Sequence, residues 1–92
     1  MSWQVICNQK KLIKKKLPKV VAATVELLIA DIEQSGPVRG NWPNYSKLPN
    51  NRHHCHIKKG KPTYVAVWED IGKNKIKLVE IIYVGTHEKA PY

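Results

Sequence analysis

The sequence predicts one small α+β domain, in which an N-terminal strand and one or two helices pack on a small antiparallel β-sheet meander. Three observations predict it. Residues 18–35 carry apolar side chains at three- and four-residue spacing and run into Gly36-Pro37, a helix followed by its stop signal. Residues 53–84 hold three strand-like runs separated by Lys59-Gly60-Lys61 and Gly72-Lys73-Asn74, connections so short that the strands they join must be antiparallel. Trp3-Gln4-Val5-Ile6-Cys7 reads as a further strand ahead of the helix. With 92 residues there is room for one core, so residues 1–92 form a single domain.

Each element follows from local chemistry. Between residues 10 and 19 six of ten residues are lysine, with Leu12, Ile13 and Leu17 interleaved. Pro18 suits the first turn of a helix and disrupts an interior. Either a short helix precedes Leu17 and a longer one follows, or one helix starts near Pro18. The apolar stripe is Leu17, Val20, Val21, Thr24, Leu28 and Ile32, widened by Val25 and Ile29, leaving Glu26, Glu33 and Gln34 in water. Residues 36–51 contain three prolines, two glycines and four asparagines, and so read as a loop, long enough to suggest a role. The strands are expected at 53–58, 62–69 and 75–84, with Pro62 at a strand start where it costs no interior hydrogen bond. In the last strand Ile76, Leu78, Ile82 and Val84 alternate with Val79, Ile81 and Tyr83, so both faces are apolar and the strand is central. Glu80 interrupts the first face, which therefore borders a polar site.

Charge narrows the partners. Sixteen Lys and Arg against seven Asp and Glu give +9, which favours a polyanion: nucleic acid first, then an anionic membrane surface or an acidic protein. No run approaches the ~20 apolar residues of a membrane span, and the start carries no basic leader. Two cysteines make no disulfide framework, so a cytoplasmic protein with reduced thiols is the expectation. The chain lacks a phosphate-binding Walker loop, a dinucleotide fingerprint and a nucleophile elbow, and its few acidic residues argue against a two-metal nuclease.

Metal-free cleavage of RNA requires a base for the 2′-hydroxyl, cations for the crowded phosphorane and an acid for the leaving 5′ oxygen. The C-terminal segment supplies these groups. His87 serves as base or acid, Glu88 as a base, Lys89 as a charge stabiliser, and Tyr92 as an acid or a stacking platform. A charged, frayed terminus is the plain alternative. Strand alternation sets His54, His56 and Lys58 on the face opposite Cys55 and Ile57, a titratable basic stripe beside Lys59 and Lys61. His54 and His56 with Cys7 or Cys55 are a conceivable zinc set, but the paired Cys spacing of zinc sites is missing, and neither a metal nor a cofactor is expected. Lys10, Lys11, Lys14, Lys15 and Lys16, with Arg52, are the candidate phosphate contacts outside that stripe.

Three segments carry a family resemblance. Residues 36–48, GPVRGNWPNYSKL, are similar to the post-helix linker of the RelE/ParE superfamily of bacterial toxins; residues 54–68, HCHIKKGKPTYVAVW, resemble its central hairpin; and Ile82-Tyr83-Val84-Gly85-Thr86-His87-Glu88-Lys89 with Tyr92 resembles its closing strand. More narrowly, the ending is like that of RelE-like cytotoxic translational repressors of type II toxin–antitoxin systems. The resemblance implies a RelE-like fold and a metal-independent mRNA endoribonuclease acting on the ribosome. It also implies a cognate antitoxin protein that covers the site, and places His87 and Tyr92 at catalytic positions. Many ribonuclease members carry an arginine where this chain has Pro62-Thr63-Tyr64, so Lys58, Lys61 or Lys89 is expected to supply that charge. ParE-like relatives share the fold and poison DNA gyrase instead, a task with no need of His54, His56 and His87 together.

Overall fold

The computed structural model describes residues 3–7, 17–60, 62–73 and 76–91. Lys10, Lys11, Lys14, Lys15, Lys16, Lys61 and Tyr92 lie outside the described residues, as does any helix before Leu17. One helix is seen among those described, α1 at Lys19–Ser35. Five strands form one sheet: β1 (Gln4–Cys7), β2 (Ser46–Leu48), β3 (Arg52–Lys58), β4 (Tyr64–Asp70) and β5 (Leu78–Thr86), in the order β1-β5-β4-β3-β2. A single 3-10 turn, His87–Lys89, follows β5. The expected meander β3-β4-β5 is present and antiparallel. The sheet as a whole is mixed, because β1 runs parallel to β5; the helix lies between β1 and β2 at the opposite edge, and the antiparallel strands return the chain to β5.

Pro18 precedes the first turn of α1, and its carbonyl accepts the Ala22 N–H at 2.9 Å. The face turned to the sheet is Val21, Val25, Leu28 and Ile32, all fully buried. Burial of each stabilises by about 1.5–3 kcal/mol. Across from them lie Cys55, Ala66, Trp68, Val79 and Ile81. Val20, counted into the stripe from its spacing, is 64% exposed. The helix is rotated so that the stripe is centred on Val25 and Leu28, and Leu17 reaches Val21 and Val25 instead. The other large apolar side chain exposed on α1 is Leu27.

The loop after α1 is held by polar anchors. Asp31 Oδ2 accepts both the Arg39 guanidinium at 2.8 Å and the Trp42 indole N–H at 2.9 Å. These donors pull the Asp31 carboxyl below its ordinary value. The buried Trp68 indole donates to the Pro37 carbonyl at 2.9 Å. β2 lies inside this loop and was not legible as a strand: it has three residues, one of them lysine. It is paired to β3 through a tight turn in which Asn50 and Asn51 both adopt positive φ, 64° and 60°. Asparagine tolerates that region better than any residue except glycine.

Gly36 ends the helix at φ 94°, and its N–H donates to the Ile32 carbonyl at 2.7 Å. The Trp3 indole packs on the space a side chain would occupy, with Nε1 2.9 Å from an ideal Cβ. Glycine is required here twice over, for conformation and for contact. Replacement of Gly36 by alanine is therefore expected to destabilise the fold by about 1–3 kcal/mol and to shift Trp3 fluorescence. A denaturation midpoint equal to that of wild type would contradict this packing.

Candidate functional site

Two bulges decide which side chains share a face. β4 pairs Trp68 with Ile81 but Val67 with Tyr83, so Ile82 is an extra residue. Up to Ile81 the odd residues of β5 face the helix; beyond Ile82 the even ones do, and Val84 packs with Val21 and Val25. Simple alternation grouped Tyr83 with Val79 and Ile81. The bulge moves it to the opposite face, in one row with His54 and Val67. The second bulge lies between His56 and Lys58. It sets Lys58 opposite Tyr64, whose side chain packs towards α1, so Lys58 does not continue the stripe of His54 and His56.

That stripe does form. His54 and His56 have ring centroids 6.1 Å apart, and His87 closes edge-on against His56 at 5.6 Å. Residues distant in sequence meet because β5 pairs Gly85 with Val65, and Val65 pairs with His56. Beyond the strand ends, the His87 N–H donates to the Thr63 carbonyl at 2.8 Å. His56, Gly60, Pro62, Thr63, Thr86, His87 and Glu88 line a groove of about 540 Å³. Its turn is braced by the Thr63 hydroxyl, which donates to the Gly60 carbonyl at 2.8 Å.

The electrostatics favour a neutral imidazole in the groove. Partial burial, then the neighbouring His87, His54 and Lys59, push His56 below its ordinary 6.5. Burial likewise lowers His54, with His87 adding to the effect; the Ser46 hydroxyl and His54 Nδ1 share a hydrogen bond of 2.9 Å. Glu88 lines the groove, and Lys59 and Lys89, each next in sequence to a lining residue, are exposed. Arg52 lies away from it, at the far end of β3, and its guanidinium pairs with Glu69 at 3.0 Å. Among the described residues no group of three or more His, Cys, Asp or Glu is arranged to hold a metal ion. Cys55 is buried in the core and its thiol is pushed up to about 12, which leaves it inert.

Several groove residues were not singled out from the sequence. Gly60, Pro62, Thr63 and Thr86 enter through the β3–β4 turn and the end of β5, positions that only strand register can bring together. His53, which opens the expected strand 53–58, is the buried histidine, 5% exposed. Its ring joins those of Trp68 (5.9 Å, 10°) and Tyr45 (5.8 Å, 22°), which also touch each other at 6.2 Å, in a three-ring cluster, and it shares a 2.7 Å hydrogen bond with the Tyr45 hydroxyl.

The fold has a counterpart among solved structures. The chain is similar to E. coli toxin RelE, solved in the free state as a double arginine-to-alanine mutant: TM-score 0.63, 21% identity, 96% of this chain and 86% of that chain covered. The fold is that of RelE. At this identity the likeness to RelE is one of fold, and it bears out the α+β architecture and the RelE-like fold expected from the sequence. No protein-family model and no curated protein matches the sequence. None of the described helices is long and apolar enough to cross a membrane.

Burial depresses His53, His54 and His56 together. A histidine depressed in the folded state gives stability that is complete above the unfolded value of 6.5 and is lost as pH falls through the folded one. Urea midpoints measured from pH 7.5 down to 5 are expected to fall below about pH 6.5. His53→Gln is expected to flatten that slope. A pH-independent midpoint would contradict the buried neutral imidazole.

Proposed function

We propose that this chain is the toxin of a toxin–antitoxin pair, a metal-independent endoribonuclease that cuts mRNA on the ribosome and represses translation. The observation that carries the proposal is the His56–His87 imidazole pair, ring centroids 5.6 Å apart and edge-on, lining a groove open to solvent in a chain of charge +9. The RelE-like fold supports it.

The reaction follows from the groups present. His56, kept neutral by burial and by its cationic neighbours, takes the proton of the ribose 2′-hydroxyl. The 2′ oxygen attacks phosphorus, and the P–O5′ bond breaks. His87, beside His56 in the groove, delivers a proton to the leaving 5′ oxygen. The products are a 2′,3′-cyclic phosphate and a 5′-hydroxyl. Lys59 and Lys89 offset the charge gathering on the phosphorane, and Lys61 and Tyr92 are assigned to the same task and to stacking. Glu88, on the groove wall, accepts a hydrogen bond from the ribose. His54 supports His56 as its neighbour on β3. The lysines between residues 10 and 16, with Lys58 and Arg52, hold the RNA backbone, so binding weakens steeply with salt. The cognate antitoxin is a protein with an acidic segment that covers the groove, and the pair works in the cytoplasm.

Induction of the chain in a bacterial host tests this. Wild type is expected to arrest growth and to create new mRNA ends mapped by primer extension. His87→Gln or His56→Gln is expected to lower cleavage by about 10²- to 10⁴-fold. The acidic limb of the wild-type rate profile is expected below 6.5, where His56 becomes protonated. Growth arrest with intact mRNA would overturn the ribonuclease reading in favour of a protein target such as gyrase.

A further inference from the structure

Tyr83 was outside every candidate set drawn from the sequence, yet the structure gives it an unusual position. The Ile82 bulge turns it onto the groove face, two residues before Gly85 on the same face. Its ring then lies across Gly85: an added Cβ there would meet Tyr83 Oη at 2.7 Å and Cζ at 2.9 Å. From this pose the Tyr83 hydroxyl donates to the Thr86 carbonyl at 2.7 Å. That carbonyl belongs to the peptide unit whose N–H is that of His87, and this N–H donates to the Thr63 carbonyl at 2.8 Å. A peptide unit is planar and rigid, so both polar ends of the link entering His87 are held, one by β5 and one by the β3–β4 turn.

We propose that Tyr83 is a positioning residue for His87, fixing the backbone from which that imidazole reaches the groove. Three local features converge on the role. The bulge aims the ring, Gly85 makes room for it, and the hydroxyl closes on Thr86. Among the described residues β5 is followed by a single 3-10 turn, His87–Lys89, so the clamp acts where strand pairing gives way to that turn. The effect on catalysis rests on the ribonuclease reading; the clamp itself rests on geometry alone.

Tyr83→Phe keeps the ring and removes only the hydroxyl. It is expected to lower kcat about tenfold, the cost of a reacting group held loosely, with KM for RNA unchanged. Combined with His87→Gln, it is expected to cost nothing more than His87→Gln alone, because the two act as a unit. Gly85→Ala, which displaces the ring, is expected to reproduce the loss. In imidazole NMR spectra of Tyr83→Phe and of Gly85→Ala, His87 is expected to shift and broaden while His53, buried on the other face, stays unchanged. Full additivity of the two substitutions, or His87 resonances identical to wild type in Tyr83→Phe, would overturn the proposal. If the wild type cuts no RNA, the ribonuclease reading falls, and the NMR comparison still decides the clamp.

Discussion

The register of β4 against β5 is the constraint on which the rest of the molecule depends. It sets Tyr64 opposite Thr86 and Val65 opposite Gly85. It thereby delivers His87 to Thr63 and to the β3–β4 turn. A slip of one residue would turn every side chain beyond it to the other face. Val84 would leave Val21 and Val25, and Tyr83 would leave the groove. The core enforces the register, because Trp68, Ile81 and Val79 are fully buried and fit only one pairing. The catalytic proposal therefore depends on hydrophobic packing on the opposite side of the same sheet.

That sheet separates two kinds of histidine chemistry. On the helix side His53 is stacked, hydrogen-bonded to Tyr45 and sealed in, a structural imidazole. On the other side His54, His56 and His87 lie against one another in a cationic chain, and there partial burial, with positive neighbours adding to it, lowers both His54 and His56.

Much of this was legible in the sequence, and the losses have identifiable causes. The helix from Lys19 to Ser35, its Gly36-Pro37 stop, and the meander followed from periodicity and turn residues. The His54–His56 stripe followed from alternation. Alternation failed at Ile82 and near Ile57, because a bulge adds one residue without any change in composition. So Tyr83 and Lys58 were assigned to the wrong faces. β2 was missed because three residues carry no periodic signal, although Asn50-Asn51 was a usable hint of its turn. The burial of His53 depends on Tyr45 and Trp68 meeting across β3, a long-range fact. The resemblance pointed to His87 and alternation to His56, and their meeting depends on the pairing of β3, β4 and β5, which no local pattern reveals.

The central claim is that this imidazole pair cuts RNA by 2′-hydroxyl attack without a metal. The most direct measurement incubates the purified chain with mRNA-programmed ribosomes in excess EDTA and determines the chemistry of the fragment ends. The account predicts cleavage with 2′,3′-cyclic phosphate and 5′-hydroxyl termini. Intact mRNA, or fragments bearing 5′-phosphate, would contradict it.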